Sequence, residues 1–144
     1  MDLDLQGSVV FVTGASGSIG NEICRAFLDE GALVAALSRR GMPAGDPDRT
    51  ISLIGDVRDP EAVEQAMRDA EKRFGRVDVC VACAGVWPPK PSLLHKQEAS
   101  RVRDVVETNV LGSIWTARAF VAALERTGPS KDGRGASLVF VGST

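Results

Sequence analysis

Apolar positions along the chain fall into short continuous runs that alternate with stretches of helical spacing. Ser8-Val9-Val10-Phe11-Val12-Thr13 is a short run rich in apolar and β-branched residues, the pattern of a strand buried on both faces. It ends in a glycine-rich turn. From Ser18 the period changes, with Ile19, Ile23, Ala26 and Phe27 at helical spacing and Gly31 following Glu30 where a helix C-terminal cap is expected. Leu33 to Leu37 forms a second apolar run, broken by Ser38-Arg39-Arg40-Gly41 and a Pro/Gly/Asp-rich loop from Met42 to Arg49. Ile51 to Ile54 predicts a third strand, closed by Gly55-Asp56. Pro60 suits the first turn of a helix, and Val63, Ala66, Met67, Ala70 and Phe74 supply its apolar stripe as far as Gly75. Val77 to Cys83 predicts a fourth strand, and the proline-rich Val86 to Pro91 a loop over a strand end. Val102, Val105, Val106, Asn109 and Val110 recur at helical spacing, and Ile114 to Leu124 predicts another apolar helix. A charged link from Glu125 to Gly135 then leads to a last strand, Ser137 to Val141. Strands alternating with helices imply an α/β fold, a parallel sheet covered on both faces by right-handed crossovers. No internal repeat and no second domain is visible.

Composition narrows the class. At 144 residues with 44% hydrophobic and 25% charged residues, the chain is one domain that needs no disulfide or metal staple. Lys plus Arg number 17 against 19 Asp plus Glu, a net charge of -2, which argues against a nucleic-acid surface. Met1-Asp2-Leu3-Asp4 is acidic where a secretory signal is basic, and no apolar run approaches the roughly 18 residues of a membrane span. A cytoplasmic protein without membrane contact is expected, its three cysteines, Cys24, Cys80 and Cys83, held as free thiols.

The strongest local signal is Thr13-Gly14-Ala15-Ser16-Gly17-Ser18-Ile19-Gly20, between the first strand and the first helix. Gly14, Gly17 and Gly20 allow a tight turn, close approach of a ligand and close packing of helix on strand. Ser16, Ser18 and Ile19 complete a loop that offers helix N-terminal N–H groups to a pyrophosphate. No Gly-Lys-Ser/Thr follows, which excludes the Walker-type phosphate loop. The second strand ends in Ser38-Arg39-Arg40 rather than in an acidic residue. With no carboxylate to repel a 2′-phosphate and two guanidiniums to bind one, the site favours NADP(H) over NAD(H).

Thr13 to Gly20, Gly55-Asp56-Val57, Phe74 to Asp78, Ala84-Gly85, Asn109 to Gly112 and Val139 to Ser143, in that order, resemble the short-chain dehydrogenase/reductase family over essentially the whole chain. The resemblance implies a Rossmann-like sheet of order 3-2-1-4-5 with the cofactor between strands 1 and 4. Asp56 and Val57 would contact adenine, and Cys83, Ala84 and Gly85 would line the ribose and nicotinamide side. Asn109 would support a proton relay through a bound water, and Ser143 would hydrogen-bond the oxygen of a small carbonyl or alcohol substrate. A tyrosine tuned by a nearby lysine would exchange the proton. The chain has no tyrosine. The expectation is therefore a unit truncated after the fifth strand, with Tyr-x-x-x-Lys beyond residue 144. The family's paired helices imply a homo-oligomer through the helices around 100–124.

Ser18 stands where the single-domain branch usually has glycine, and the glycine spacing resembles the extended, sugar-nucleotide-modifying branch. The segment from Phe74 to Gly85 and the step on to Asn109 match the single-domain branch. Ala82-Cys83 replaces paired asparagines, which removes amides that would tie neighbouring strands and predicts altered sheet geometry there. A dinucleotide-binding module without catalysis and an extended-branch epimerase or reductase are the alternatives to an oxidoreductase. Cys80-Val81-Ala82-Cys83 has a metal or redox spacing, but positions three apart on a strand face opposite ways. His95, the single histidine, reads as a surface residue, which leaves a hydrolase triad with Ser16 or Ser143 unsupported. Trp87 and its prolines are candidates for a pocket wall or for plain loop packing.

Overall fold

A computed structural model describes residues 4–42, 45–88, 90, 92–128, 130, 133 and 135–143. Strand β1 (Val9–Thr13) is buried at every position, and β2 (Leu33–Ser38) at all but its first. Together with β3 (Thr50–Ile54), β4 (Val79–Ala82) and β5 (Ser137–Phe140) they form a parallel sheet in the order β3-β2-β1-β4-β5. Register follows the apolar runs: Phe11 lies between Ala35 on β2 and Cys80 on β4, and Cys80 in turn pairs with Leu138 on β5.

Alternate strand residues sort onto the two faces. Val9, Phe11, Ala35, Leu37 and Cys80 join one buried cluster, and Val10, Val12, Val34, Ala36 and Val81 join the other. The second face is covered by α1 (Ser18–Asp29) through Cys24, Ile23 and Phe27. The first is covered by α2 (Pro60–Phe74), through Val63, Met67 and Ala70, and by α4 (Gly112–Thr127), through Ala119, Phe120 and Ala123. In α1, Ile19 and Ala26 depart from the expected stripe and are exposed, Ile19 because it opens onto a cleft above the sheet.

The two expected C-terminal helices are one unbroken helical run. Helix α3 (Ala99–Val105) passes into a π-helical turn (Val106–Leu111) and then into α4. The absent asparagines leave strand pairing regular. Thr13 Oγ1 accepts from the backbone N–H groups of Cys83 at 3.1 Å and Ala84 at 3.2 Å, which joins β1 to the end of β4. Pro89 and Pro91 of the expected loop, and part of the link before β5, lie outside the described residues.

Candidate functional site

Parallel strands leave a crevice at their carboxyl ends where the chain crosses to opposite faces, here between β1 and β4. Gly14 closes the turn after β1 at φ +68°, and a Cβ on it would sit 2.7 Å from Ala84 Cα. A Cβ on Gly20 would collide with the Gly14 carbonyl, so α1 can start this close to β1 only with glycine there. Gly17 is the N-cap of α1, with no side-chain cap and no acidic residue in the first turn. The first N–H groups of the helix therefore face the crevice with the positive end of its dipole and no carboxylate in competition.

The resulting cleft, about 420 Å³, is lined by Gly14, Ser16, Gly17, Ser18, Ile19 and Gly20 from the first turn, by Ser38, Arg39 and Arg40 after β2, and by Asp56 and Val57 after β3. Cys83, Ala84 and Gly85 complete it after β4. All the positions assigned to a cofactor from sequence thus share one cavity. Sequence reasoning missed four lining residues: Leu37, Gly55, Val86 and Thr108. Leu37, Gly55 and Val86 flank assigned positions and were within reach of a pattern argument. Thr108 was not, since a buried threonine in a π turn leaves no periodic signal.

At the β2 end, Ser38 is buried and its Oγ has no hydrogen-bond partner. A buried hydroxyl without a partner is costly, and a ligand that supplies one removes the cost. Arg39 and Arg40 beside it are exposed. At the β3 end, the Arg58 guanidinium holds the Asp56 carboxyl below the usual carboxylate range, opposed by partial burial and aided by the charge of Arg39.

Asn109 lies in the π turn, outside the cleft lining. Its Oδ1 accepts from Val86 N–H at 2.8 Å and its Nδ2 donates to Val86 O at 3.0 Å, so both ends of the amide clamp the backbone just after Gly85. Ser143 is exposed, three residues past the end of β5. Trp87 is 76% exposed and lines a separate apolar groove with Leu94, Val102 and Val106. His95 is exposed on a 3-10 turn. Cys80 and Cys83 belong to opposite faces of the sheet. No cluster of metal ligands occurs among the described residues, and no helix among them is long and apolar enough to cross a membrane.

The family model for short chain dehydrogenases matches residues 8–144. The chain belongs to the short-chain dehydrogenase/reductase family. Ipsdienol dehydrogenase of Ips pini is 29% identical, over 100% of this chain and 59% of that protein. Cis-2,3-dihydrobiphenyl-2,3-diol dehydrogenase of Paraburkholderia xenovorans is 30% identical, over 85% of this chain and 47% of that protein. Among solved structures, 3-ketoacyl-(acyl-carrier-protein) reductase from Brucella melitensis, complexed with NADH, superposes with a TM-score of 0.86. It is 26% identical, over 96% of this chain and 58% of that one. The chain spans about half the length of the curated relatives it matches. The short-chain dehydrogenase/reductase fold implies a nicotinamide dinucleotide cofactor, and the glycine cradle, open helix N-terminus and unpartnered Ser38 Oγ fit one.

Proposed function

We propose that the protein is an NADP(H)-dependent oxidoreductase that interconverts a small-molecule carbonyl and a secondary alcohol. The observation that carries the cofactor choice is the end of β2. There an unpartnered, buried Ser38 hydroxyl adjoins two exposed guanidiniums, Arg39 and Arg40, and all three line the cleft. A 2′-phosphate supplies acceptors for the hydroxyl and for paired N–H groups of an arginine, whereas a bare ribose offers less to the positive charges. The first turn of α1 would hold the pyrophosphate through backbone N–H groups. The nicotinamide, when bound, supplies hydride chemistry at a carbon.

The residues of this chain bind and orient. Asn109 holds the Val86 backbone and so fixes the floor of the cleft after β4. Ser143 is assigned the hydrogen bond to the substrate oxygen. The tyrosine and lysine implied by the family have no position within residues 1–144, so proton transfer is a proposal about the whole protein. Pairing of subunits through the helices around 100–124 and a cytoplasmic location complete the proposal. Val106, Val110, Ile114 and Val121, between 46% and 51% exposed on one helical run, support the pairing.

Titration of the protein and of Arg39→Ala with NADPH and NADH tests the cofactor choice. The unmodified protein is expected to bind NADPH about 10-fold or more tightly than NADH, equivalent to about 1.4 kcal/mol. Arg39→Ala should lose that preference and keep its NADH affinity. Equal affinities in the unmodified protein overturn the NADP(H) assignment.

A further inference from the structure

Asp56 has the acceptor chemistry to meet an adenine amino group, but a carboxylate on a loop is useful only if it is held. Arg58 holds it at several points. The Arg58 backbone N–H donates to Asp56 Oδ1 at 3.0 Å, Nε lies 3.1 and 3.0 Å from Oδ1 and Oδ2, and Nη2 donates to Oδ2 at 2.6 Å. Arg58 is not part of the cleft lining while Asp56 is, so the guanidinium grips the carboxylate from outside the cavity.

The grip is itself anchored. Arg58 Nη1 donates to Asp104 Oδ1 at 3.0 Å, and Asp104 Oδ2 accepts from Arg101 Nη1 at 2.9 Å. Carboxylate and guanidinium thus alternate from the loop after β3 to α3. The four side chains are 30%, 38%, 29% and 31% exposed in that order. An isolated pair at such exposure adds little stability. A planar fork fastened at both ends fixes direction rather than adding energy, which is what a recognition carboxylate needs. Arg58 brings three N–H hydrogens to Asp56, the one on Nε shared between the two oxygens, and a carboxylate with about four lone-pair sites can accept one more from a ligand.

From this arrangement we infer that Arg58 and Asp104 are positioning residues for adenine recognition: they hold Asp56 as an acceptor for the exocyclic amino group and tie that acceptor to α3. The inference rests on the dinucleotide reading of the cleft and adds to it residues that the cleft lining does not contain. Asp104 is the informative position, because changing it releases one end of Arg58 without altering Asp56 or any lining residue.

The test measures affinities for AMP, NADPH and reduced nicotinamide mononucleotide in the intact protein and in Asp104→Asn, Asp104→Glu and Arg58→Ala, with melting temperatures alongside. Asp104→Asn should weaken AMP and NADPH by a common factor of about 5, the scale of one ordinary hydrogen bond, and Arg58→Ala by about 10 or more, the scale of a charge-assisted one. The mononucleotide, which has no adenine, should bind all forms equally, and Asp104→Glu should restore AMP affinity. AMP binding unchanged in both Asp104→Asn and Arg58→Ala overturns the inference while leaving the dinucleotide reading intact. An equal loss for all three ligands also overturns it, since that reports general loosening of the fold. Failure of the unmodified protein to bind AMP or NADPH overturns the dinucleotide reading itself, and the inference with it.

Discussion

At Gly14 one residue carries both a left-handed backbone and a close approach of the turn after β1 to Ala84. Its glycine is legible from sequence because no other residue combines φ +68° with so little room. The cysteines show what spacing alone leaves open. Burial pushes the Cys80 thiol up to about 12 and the Cys24 thiol up to about 11, the latter helped by Cys83 and opposed by a backbone hydrogen bond. Cys83 is raised too, by burial, but it is only partly covered and lines the cleft. In the native protein at pH 8 a disulfide-exchange reagent should therefore label Cys83 first, and Cys24 and Cys80 only after unfolding. Rapid labelling of all three would contradict the packing. Because burial raises these values, the stability linked to keeping Cys24 and Cys80 protonated is complete below pH 9. It is lost as pH climbs through about 11 and 12.

Among the elements, α2 is the one whose sequence and structure agree most closely. Asp59 is its N-cap, with Oδ1 accepting from Glu61 N–H at 2.9 Å and Ala62 N–H at 3.3 Å, and Pro60 follows in the first turn. Gly75 ends it in a left-handed conformation at φ 86°. Asp59→Ala should cost about 1 kcal/mol in denaturant unfolding, with dinucleotide affinity unchanged because the cap lies outside the cleft lining. Helix α1 is the contrast. It has no cap and no acidic first turn, so it forgoes local stabilisation where the cleft needs open N–H groups. The π turn at Val106–Leu111 was invisible in the pattern. Apolar spacing before and after it predicts two helices, and nothing local distinguishes an i to i+5 turn from an interruption. Its consequence is tertiary, since it sets Thr108 in the cleft lining and Asn109 against Val86.

For the molecule as a whole, the apolar positions that patterning assigns to a core divide between the interior and the surface. Ala119, Phe120 and Ala123 face the sheet, whereas Ile114 and Val121 of the same helix are 49% and 51% exposed. At the sheet edge, Val139 and Phe140 of β5 are 46% and 56% exposed. The polypeptide of residues 1–144, expressed alone, is expected to self-associate through these surfaces. Light scattering should show oligomers, and Ile114→Lys combined with Val121→Lys should reduce them. A monodisperse, cooperatively melting monomer from the unaltered sequence would contradict this.

Local chemistry determined the alternation of strands and helices, the glycine turn, the basic end of β2 and the family, because each depends on residues adjacent in the chain or at a fixed period. Only the tertiary structure decided that the positions assigned to the cofactor share one cavity and that Ser38 Oγ lies buried without a partner. It alone placed Asp104, 46 residues away in sequence, against Arg58. Hydrogen bonds and ion pairs between distant segments depend on how two faces meet, and no period along the chain encodes that meeting.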